Sequence, residues 1–391
     1  MLQRVLDESY HEDVRRRVSL LTAARMCANA CFRFAPPFLA TIAAGQRVSL
    51  DRMGVALAIS ELSGLASPLT GRLADRLHRR TAMVVGLGGV GVGALLAAAS
   101  NHITFFTLAI IVIAQSKVMF DLALGAWVSD RVPFDRRGRV IGITETSWAL
   151  GLLVGVTTMG LVTAATSWRV GYVVGATAVL LLATFVARTL PDDPAGQSHA
   201  ERKAAVGSIS RKGWVVAVGM FCLMAASQTV FITFGSWLKD HFGMSNTGVS
   251  IVAFGLGFGE LLASLSAARF SDRWGKERAA GRGAGVMIPA ALVLATFHSH
   301  LWIGLPMLIV AISAFEFAIV CAIPLATEII PGSPARGMAV MFLVGTLGRA
   351  TASIPATRLY VRHGMAWPAA MCACLAAGTV VAMWRAHRLP H

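Results

Sequence analysis

Twelve apolar runs divide this chain, and that division constrains its fold more than any other feature. They fall at Val18–Ala44, Leu50–Thr70, Thr81–Ser100, Ile103–Ser129, Val140–Thr166 and Trp168–Arg188, then at Trp214–Leu238, Gly248–Ala268, Gly281–Phe297, Leu301–Thr327, Met338–Thr357 and Met365–Arg385. Each is near or above the ~20 residues a helix needs to cross the hydrocarbon of a bilayer. Charged residues make up 14% of the chain, against about 25% in soluble domains, and the mean hydropathy is +0.65. A membrane barrel would alternate polar and apolar residues in ~10-residue segments, and that pattern is absent. The sequence therefore predicts an all-α integral membrane protein with 12 transmembrane helices in two six-helix bundles.

The predicted organisation is a cytoplasmic N-terminal segment at 1–17, bundles at 18–189 and 214–385, a cytoplasmic linker at 190–213 and a cytoplasmic tail at 386–391. The linker holds PDDPAGQSHAERKAAVGSISRK, whose prolines, small polar residues and mixed charge suit a flexible connection. The opening MLQRVLDESYHEDVRRR is charged and amphipathic and reads as cytoplasmic, without a cleavable signal.

A net charge of +15 raises the question of nucleic acid, and its distribution answers it. With the N-terminus placed in the cytoplasm, twenty-five of the 35 Lys and Arg fall on that side, six on the other and four inside helices. This is the positive-inside pattern of a multi-pass protein in a cell membrane, with both termini cytoplasmic. The bilayer is the expected partner, and nucleic acid is not.

Between the second and third runs lies GRLADRLHRR, Gly71–Arg80, and ARFSDRWGKER, Ala268–Arg278, stands at the matching place in the second half. Each puts an Asp-Arg pair, Asp75-Arg76 or Asp272-Arg273, after an apolar run and adds further cations. WVSDRVPFDRRGRVIG, from Trp127, is answered in the second half by LATEIIPGSPARG, from Leu325, which makes Asp130 and Glu328 equivalent. A repeated loop implies a repeated half.

These motifs resemble the signature loops of the major facilitator superfamily of secondary transporters, whose pattern between helices two and three is Gly, three residues, Asp-Arg, any residue, Gly, and two cations. Gly71, Asp75, Arg76, Arg79 and Arg80 match it, and His78 stands at the second Gly. In the second copy Gly275 is kept and Ala268 replaces the first Gly. The resemblance covers essentially the whole chain and implies two parallel-repeated bundles, transport by alternating access, and a protein that works as a monomer. It also implies a gating role for Asp75, which would latch the cytoplasmic side, with Arg76, Arg79 and Arg80 reaching Asp130 or anionic lipid, and Asp272 and Arg273 repeating the device.

Charges within apolar spans mark function, because each is costly when it faces lipid. Glu61, Asp121, Glu260 and Glu316 are the proton-coupling candidates. Glu61 lies near mid-span, where a cation such as Arg33 would either tune its proton or lock it in a static pair. Arg25, Asn29, Arg33, Lys117, Trp148 and Arg349 are the candidates for a substrate cavity. The first three recur every four residues and share one helix face, and Pro36-Pro37 should kink that helix beyond them. Lys117 and Asp121, also four apart, read as a structural pair. Glu145 reads as a cap or a gate. Cysteines 27, 31, 222, 321, 372 and 374 all sit in apolar runs and read as small buried residues, and no metal site is assembled. The tryptophans at 127, 168, 214, 237, 302, 367 and 384 read as interfacial anchors.

The functional expectation is a secondary transporter that exports a small organic or amphipathic solute, with a proton gradient as the driving force and no cofactor. A lipid carrier between leaflets or a metabolite symporter is the alternative on the same fold, and the stripe of Arg25, Asn29 and Arg33 suits an anionic group. Helix five reads GLLVGVTTMG, Gly151–Gly160, and lacks the proline that drug-proton antiporters of the superfamily carry there. Helix four also lacks the Arg that those antiporters carry, and Lys117 is its only cation. No P-loop is present and no catalytic constellation can be placed, so an enzyme is not expected.

Overall fold

The computed structural model describes residues 10, 12–132, 137–191, 208–326, 329–330 and 334–389; the side chains at 68, 72, 75, 137–139, 268, 272 and 334–336 lie outside the described set. All regular structure among these residues is helical: α1 (Glu12–Arg33), α2 (Leu39–Gln46), α3 (Leu50–Leu62), α4 (Ser67–Arg76), α5 (Arg79–Ala99), α6 (Ile103–Arg131), α7 (Arg137–Leu150), α8 (Thr157–Ala165), α9 (Trp168–Thr189), α10 (Arg211–Phe242), α11 (Asn246–Trp274), α12 (Lys276–Phe297), α13 (Leu301–Ala326), α14 (Pro334–His363) and α15 (Ala366–Arg388). Ten spans among the described residues are long and apolar enough to cross a membrane. Neither of the first two apolar runs supplies one of the ten; the first is split after Arg33 and the second after Leu62.

The break in the first run is dictated by Pro36-Pro37. Proline has no N–H to donate and its ring clashes with the preceding turn, so α1 stops at Arg33 and α2 restarts at Leu39. Arg47 ends α2 in the left-handed conformation, φ 57°. Its N–H bonds to the Ala44 carbonyl and that of Val48 to the Ala43 carbonyl, a Schellman turn with arginine where glycine is usual. In the second run, a 3₁₀ turn at Ser63–Ala66 separates α3 from α4, with Pro68 in the first turn of α4.

Both breaks fall where the chain changes partners. One compact unit comprises Met1–Phe34 and Ser63–Lys203, and the other Ala35–Leu62 and Ala204–His391. The segment holding α2 and α3 thus belongs with the second half of the sequence. There Thr41 accepts from Lys239 Nζ at 3.0 Å and donates to Asn246 Oδ1 at 2.8 Å.

In the first unit α1 packs on α7 and α9 while α5 lies between α6 and α9; in the second α10 packs on α14 and α15, and α12 on α13 and α15. Large apolar side chains point outward from both, among them Leu108, Leu181 and Phe185 in one and Ile251, Leu265 and Phe342 in the other. Such a surface suits lipid, where only hydrogen-bonded helices or closed barrels are tolerated. Serine residues 210 and 245 cap the starts of α10 and α11, accepting from the N–H of Gly213 at 2.8 Å and Gly248 at 3.2 Å, which satisfies donors a helix leaves open.

The signature segments correct the reading of a loop. The helix continues through Gly71, Arg72, Asp75 and Arg76 as α4, and through Asp272 and Arg273 as α11; only Leu77-His78 and Gly275 interrupt it. The difference between the two copies is conformational. His78 has φ −59°, open to any residue, whereas Gly275 has φ +79°, which side-chain-bearing residues rarely adopt.

The tryptophans are also corrected. Trp127, Trp168 and Trp237 are buried, whereas Trp214, Trp302, Trp367 and Trp384 are exposed as anchors would be. Cys31, Cys321 and Cys372 are buried, but Cys374 is exposed and Cys27 and Cys222 are intermediate.

Candidate functional site

In the first unit the stripe on α1 meets α6 and α7. Arg25 donates to Asp121 Oδ1 at 2.9 Å, to Glu145 Oε1 at 2.7 Å and to the Thr144 carbonyl at 3.1 Å. One turn on, Asn29 Nδ2 donates to Ser147 Oγ at 3.2 Å. A further turn on, Arg33 donates to the Trp148 carbonyl at 2.9 Å and lies over its ring at 4.4 Å. The four-residue spacing places these three groups on one face, and they climb α7 in step.

Lys117 completes the cluster from α6. Its ammonium reaches Asp121 Oδ2 at 2.6 Å and lies 5.6 Å from the Trp148 ring and 5.7 Å from that of Phe32, within cation–π range. Asp121 therefore bonds two cations, one per oxygen. Glu145 turns out to be the second carboxylate on Arg25. Arg25 and Lys117 thus share Asp121, Arg25 also pairs with Glu145, and Arg33 stands over the Trp148 indole.

The support beneath this cluster is unusual. Between α7 and α8 the helix widens into a π-helical stretch, Gly151–Val156, in the segment where a proline is missing. An added Cβ at Gly151 would lie 2.8 Å from Asn29 Cβ, and Gly155 faces Ala30, so the glycines let α1 approach the widened turn. Extra-residue turns of this kind recur at functional sites.

The second unit holds its own set. Glu61, on α3, meets Arg349 of α14 at 2.9 Å, both side chains mostly enclosed. The cation that faces Glu61 is thus Arg349, where sequence reasoning weighed Arg33. Four and eight residues past Arg349, Ser353 accepts from Gln228 of α10 at 3.0 Å and Thr357 lies against Gly54 of α3. This gives α14 a polar stripe with the spacing of the one on α1. Glu260 of α11 is 1% exposed and Glu316 of α13 is 5% exposed. Ser264, one turn from Glu260, donates to Glu316 Oε1 at 2.7 Å.

At the cytoplasmic end predicted for the first unit, Arg79 bonds Asp130 at 3.0 Å and Arg80 donates to the Leu190 carbonyl at 3.3 Å. Arg76 and Arg273 are exposed. The side chains of Asp75 and Asp272, and the whole of Glu328, lie outside the described residues. Sequence reasoning missed the pair Lys212–Glu277, 2.8 Å apart. The acid in the first turn of α12, a place that favours negative charge, was its one signal. Among the described residues no group of three or more His, Cys, Asp or Glu could hold a metal ion.

The profile of the Major Facilitator Superfamily matches residues 21–353 and 216–390. The chain belongs to this superfamily. Its relatives include the uncharacterized MFS-type transporter YwfA of Bacillus subtilis (strain 168), 26% identical over 61% of this chain and 61% of YwfA, so that match spans less than two thirds of the relative. Major facilitator superfamily domain-containing protein 10 of Mus musculus is 22% identical over 84% of this chain and 77% of that protein. Two solved superfamily structures share the 12-helix fold. A bacterial homologue of the human lysosomal transporter Spinster superposes with a TM-score of 0.71 at 15% identity, over 96% of this chain and 94% of that one. The human organic anion transporter MFSD10 gives 0.71 at 18% identity, over 95% and 99%. The chain is thus a multi-pass membrane protein from a superfamily of transporters, not enzymes.

Proposed function

We propose that this transporter exports small amphipathic organic anions across the cytoplasmic membrane by alternating access, with a proton moving in the opposite direction. The observation that carries the reading is the placement of the Trp148 ring 4.4 Å from Arg33 and 5.6 Å from Lys117. An indole face offers an apolar platform, and guanidinium and ammonium groups such as those beside it bind carboxylates and sulfonates. The description of MFSD10 as an organic anion transporter supports the same substrate class. In this reading Arg25, Asp121 and Glu145 hold the cluster together, and Asn29 keeps α1 in step with α7.

Proton coupling is assigned to Glu316, with Glu260 one turn from its serine. A hydroxyl partner serves either form of a carboxyl, donating to the carboxylate and accepting from the acid. Glu61 instead joins α3 to α14 through Arg349, and losing its charge would strand a guanidinium.

The test is transport by protein in liposomes with a pH-sensitive dye inside and a panel of aromatic carboxylates, aromatic sulfonates and organic cations outside. The expected result is anion flux coupled to proton flux in wild type, with the proton movement lost in Glu316→Gln. Flux of organic cations but not anions would overturn the substrate class. Anion flux without proton movement in either protein would overturn the coupling, and movement of labelled lipid between leaflets without solute flux would favour a lipid carrier.

A further inference from the structure

The second unit carries a group of imidazoles at the end away from the basic turn at Gly275, where α10 finishes and α12 turns into α13. His241 lies in the last turn of α10, and His298 caps the end of α12. Their ring centroids are 6.0 Å apart. Nothing in the transport reading uses either residue.

Three features make this a prepared pair. His298 Nδ1 lies 2.9 Å from the Ala295 carbonyl. A carbonyl only accepts, so that bond places the ring proton on Nδ1 and leaves the lone pair on Nε2, the tautomer that metal-binding histidines use. The turn that carries His298 is pinned from below, because the buried Trp237 donates its Nε1–H to the His298 carbonyl at 3.0 Å. The His241 ring stands edge-on to Phe242 at 4.8 Å, which restricts how far it swings.

The spacing fits an ion. A divalent metal ~2.0 Å from one nitrogen of each ring, at a tetrahedral angle, would hold the centroids about 5 Å apart. Closing the remaining ~1 Å is within reach of rotation about the side-chain bonds of His241, which is exposed. Two imidazoles and no thiolate select the imidazole-preferring ions zinc, nickel and copper over magnesium or calcium, with copper(II) held most tightly.

We propose that His241 and His298 form a surface site for a divalent transition-metal ion, completed by solvent, which clips the end of α10 to the α12–α13 turn. His300 is not a ligand in this assignment. It opens α13, and its ring contacts Ser299 and Phe297.

The test uses full-length detergent-purified protein without a polyhistidine tag. Copper(II) is titrated and followed by electron paramagnetic resonance, and nickel(II) by calorimetry and by the thermal unfolding midpoint. The expected result is one saturable site whose copper spectrum shows coupling to two nitrogens, at least tenfold weaker binding in His241→Gln and in His298→Gln, and unchanged binding in His300→Gln. Metal should raise the unfolding midpoint of wild type and leave both single variants unmoved. Because glutamine keeps the folded protein polar at these positions, an unfolding midpoint equal to wild type without metal verifies that the variants are folded. Equal binding by wild type and His241→Gln, loss of binding in His300→Gln, or no saturation at submillimolar metal would overturn the site.

Discussion

Glu61 and Arg349 meet at 2.9 Å, joining the last turn of α3 to α14 although they lie far apart in the sequence. Farther along the same two helices Gly54 lies against Thr357, so α3 and α14 run antiparallel and the ion pair fixes their register. Breaking a buried pair from one side leaves a charge that the interior cannot solvate, at roughly 3–5 kcal/mol for a fully enclosed pair. Both side chains here keep some exposure, which lowers the figure. Glu61→Gln and Arg349→Met should each destabilise the protein by about 1–3 kcal/mol. The exchange Glu61→Arg with Arg349→Glu should recover more than half of that, as read by thermal unfolding in detergent; equal loss in the exchanged protein would show that the pair sets no register.

Asp121 bonds Arg25 with one oxygen and Lys117 with the other, so its removal acts twice. Asp121→Asn should be the most damaging single substitution in the first unit's cluster, costing roughly 3–5 kcal/mol, whereas Lys117→Met leaves Asp121 its arginine and should cost less than half as much. The pair should not be additive, because the double variant removes the charge that Asp121→Asn strands. Unfolding midpoints of the two single variants and the double variant measure this; additivity within 0.5 kcal/mol, about the spread of independent sites, would mean that the residues do not form one network.

Gly155 faces Ala30 on α1 at the π-helical turn, whereas nothing lies within 4 Å of a Cβ built on Gly142. Gly155→Ala should therefore push α1 from the π-helical turn and cost about 1–3 kcal/mol as overpacking. Gly142→Ala, in the neighbouring α7, should be neutral or stabilising by up to ~1 kcal/mol through helix propensity. Opposite signs from two glycines in one span are the diagnostic result, read by unfolding and by yield of monodisperse protein.

Much of this architecture is legible in the sequence because it rests on local rules. Apolar runs of bilayer length give the helices, Pro36-Pro37 gives the first break, and four-residue spacing gives both the α1 stripe and the pair Lys117–Asp121. The turn at Ser63–Ala66 was not legible, since no proline precedes it and Ser63 and Gly64 are common in membrane helices. Nor was the choice of Arg349 for Glu61, or the arrival of Arg25 at Asp121 and Glu145. Those depend on which helices become neighbours, and no periodicity within one helix records that. Trp127, Trp168 and Trp237 misled for a related reason, because position at the end of a run does not distinguish a buried face from a lipid-facing one.

The basic turns test whether conformation explains the divergence of the two copies. Gly275 has φ +79° and ψ 140°, a combination that costs a residue with a Cβ about 1–3 kcal/mol. Gly275→Ala should lower stability by that amount although nothing lies within 4 Å of the added methyl. His78 has φ −59°, so His78→Ala should carry no penalty from backbone conformation. Equal effects at the two sites, measured by unfolding, would remove the conformational account.

Trp148 is the side chain on which the proposed substrate class depends. Its ring lies under Arg33 at 4.4 Å and 5.6 Å from the Lys117 ammonium; in the proposed function it is both a platform for an apolar body and a support for the cations beside it. Trp148→Phe keeps a smaller aromatic face, and Trp148→Ala keeps none. Stacking on an aromatic contributes about 0.5–1.5 kcal/mol beyond area, which corresponds to a change in KM of roughly two- to tenfold. Transport of aromatic carboxylates should therefore weaken in the order wild type, Trp148→Phe, Trp148→Ala, mainly through KM. Short aliphatic carboxylates, which have no ring to stack, should be affected less. An equal loss for both substrate sets would assign Trp148 to packing alone, because a residue that only props up Arg33 and Lys117 should not distinguish one carboxylate from another.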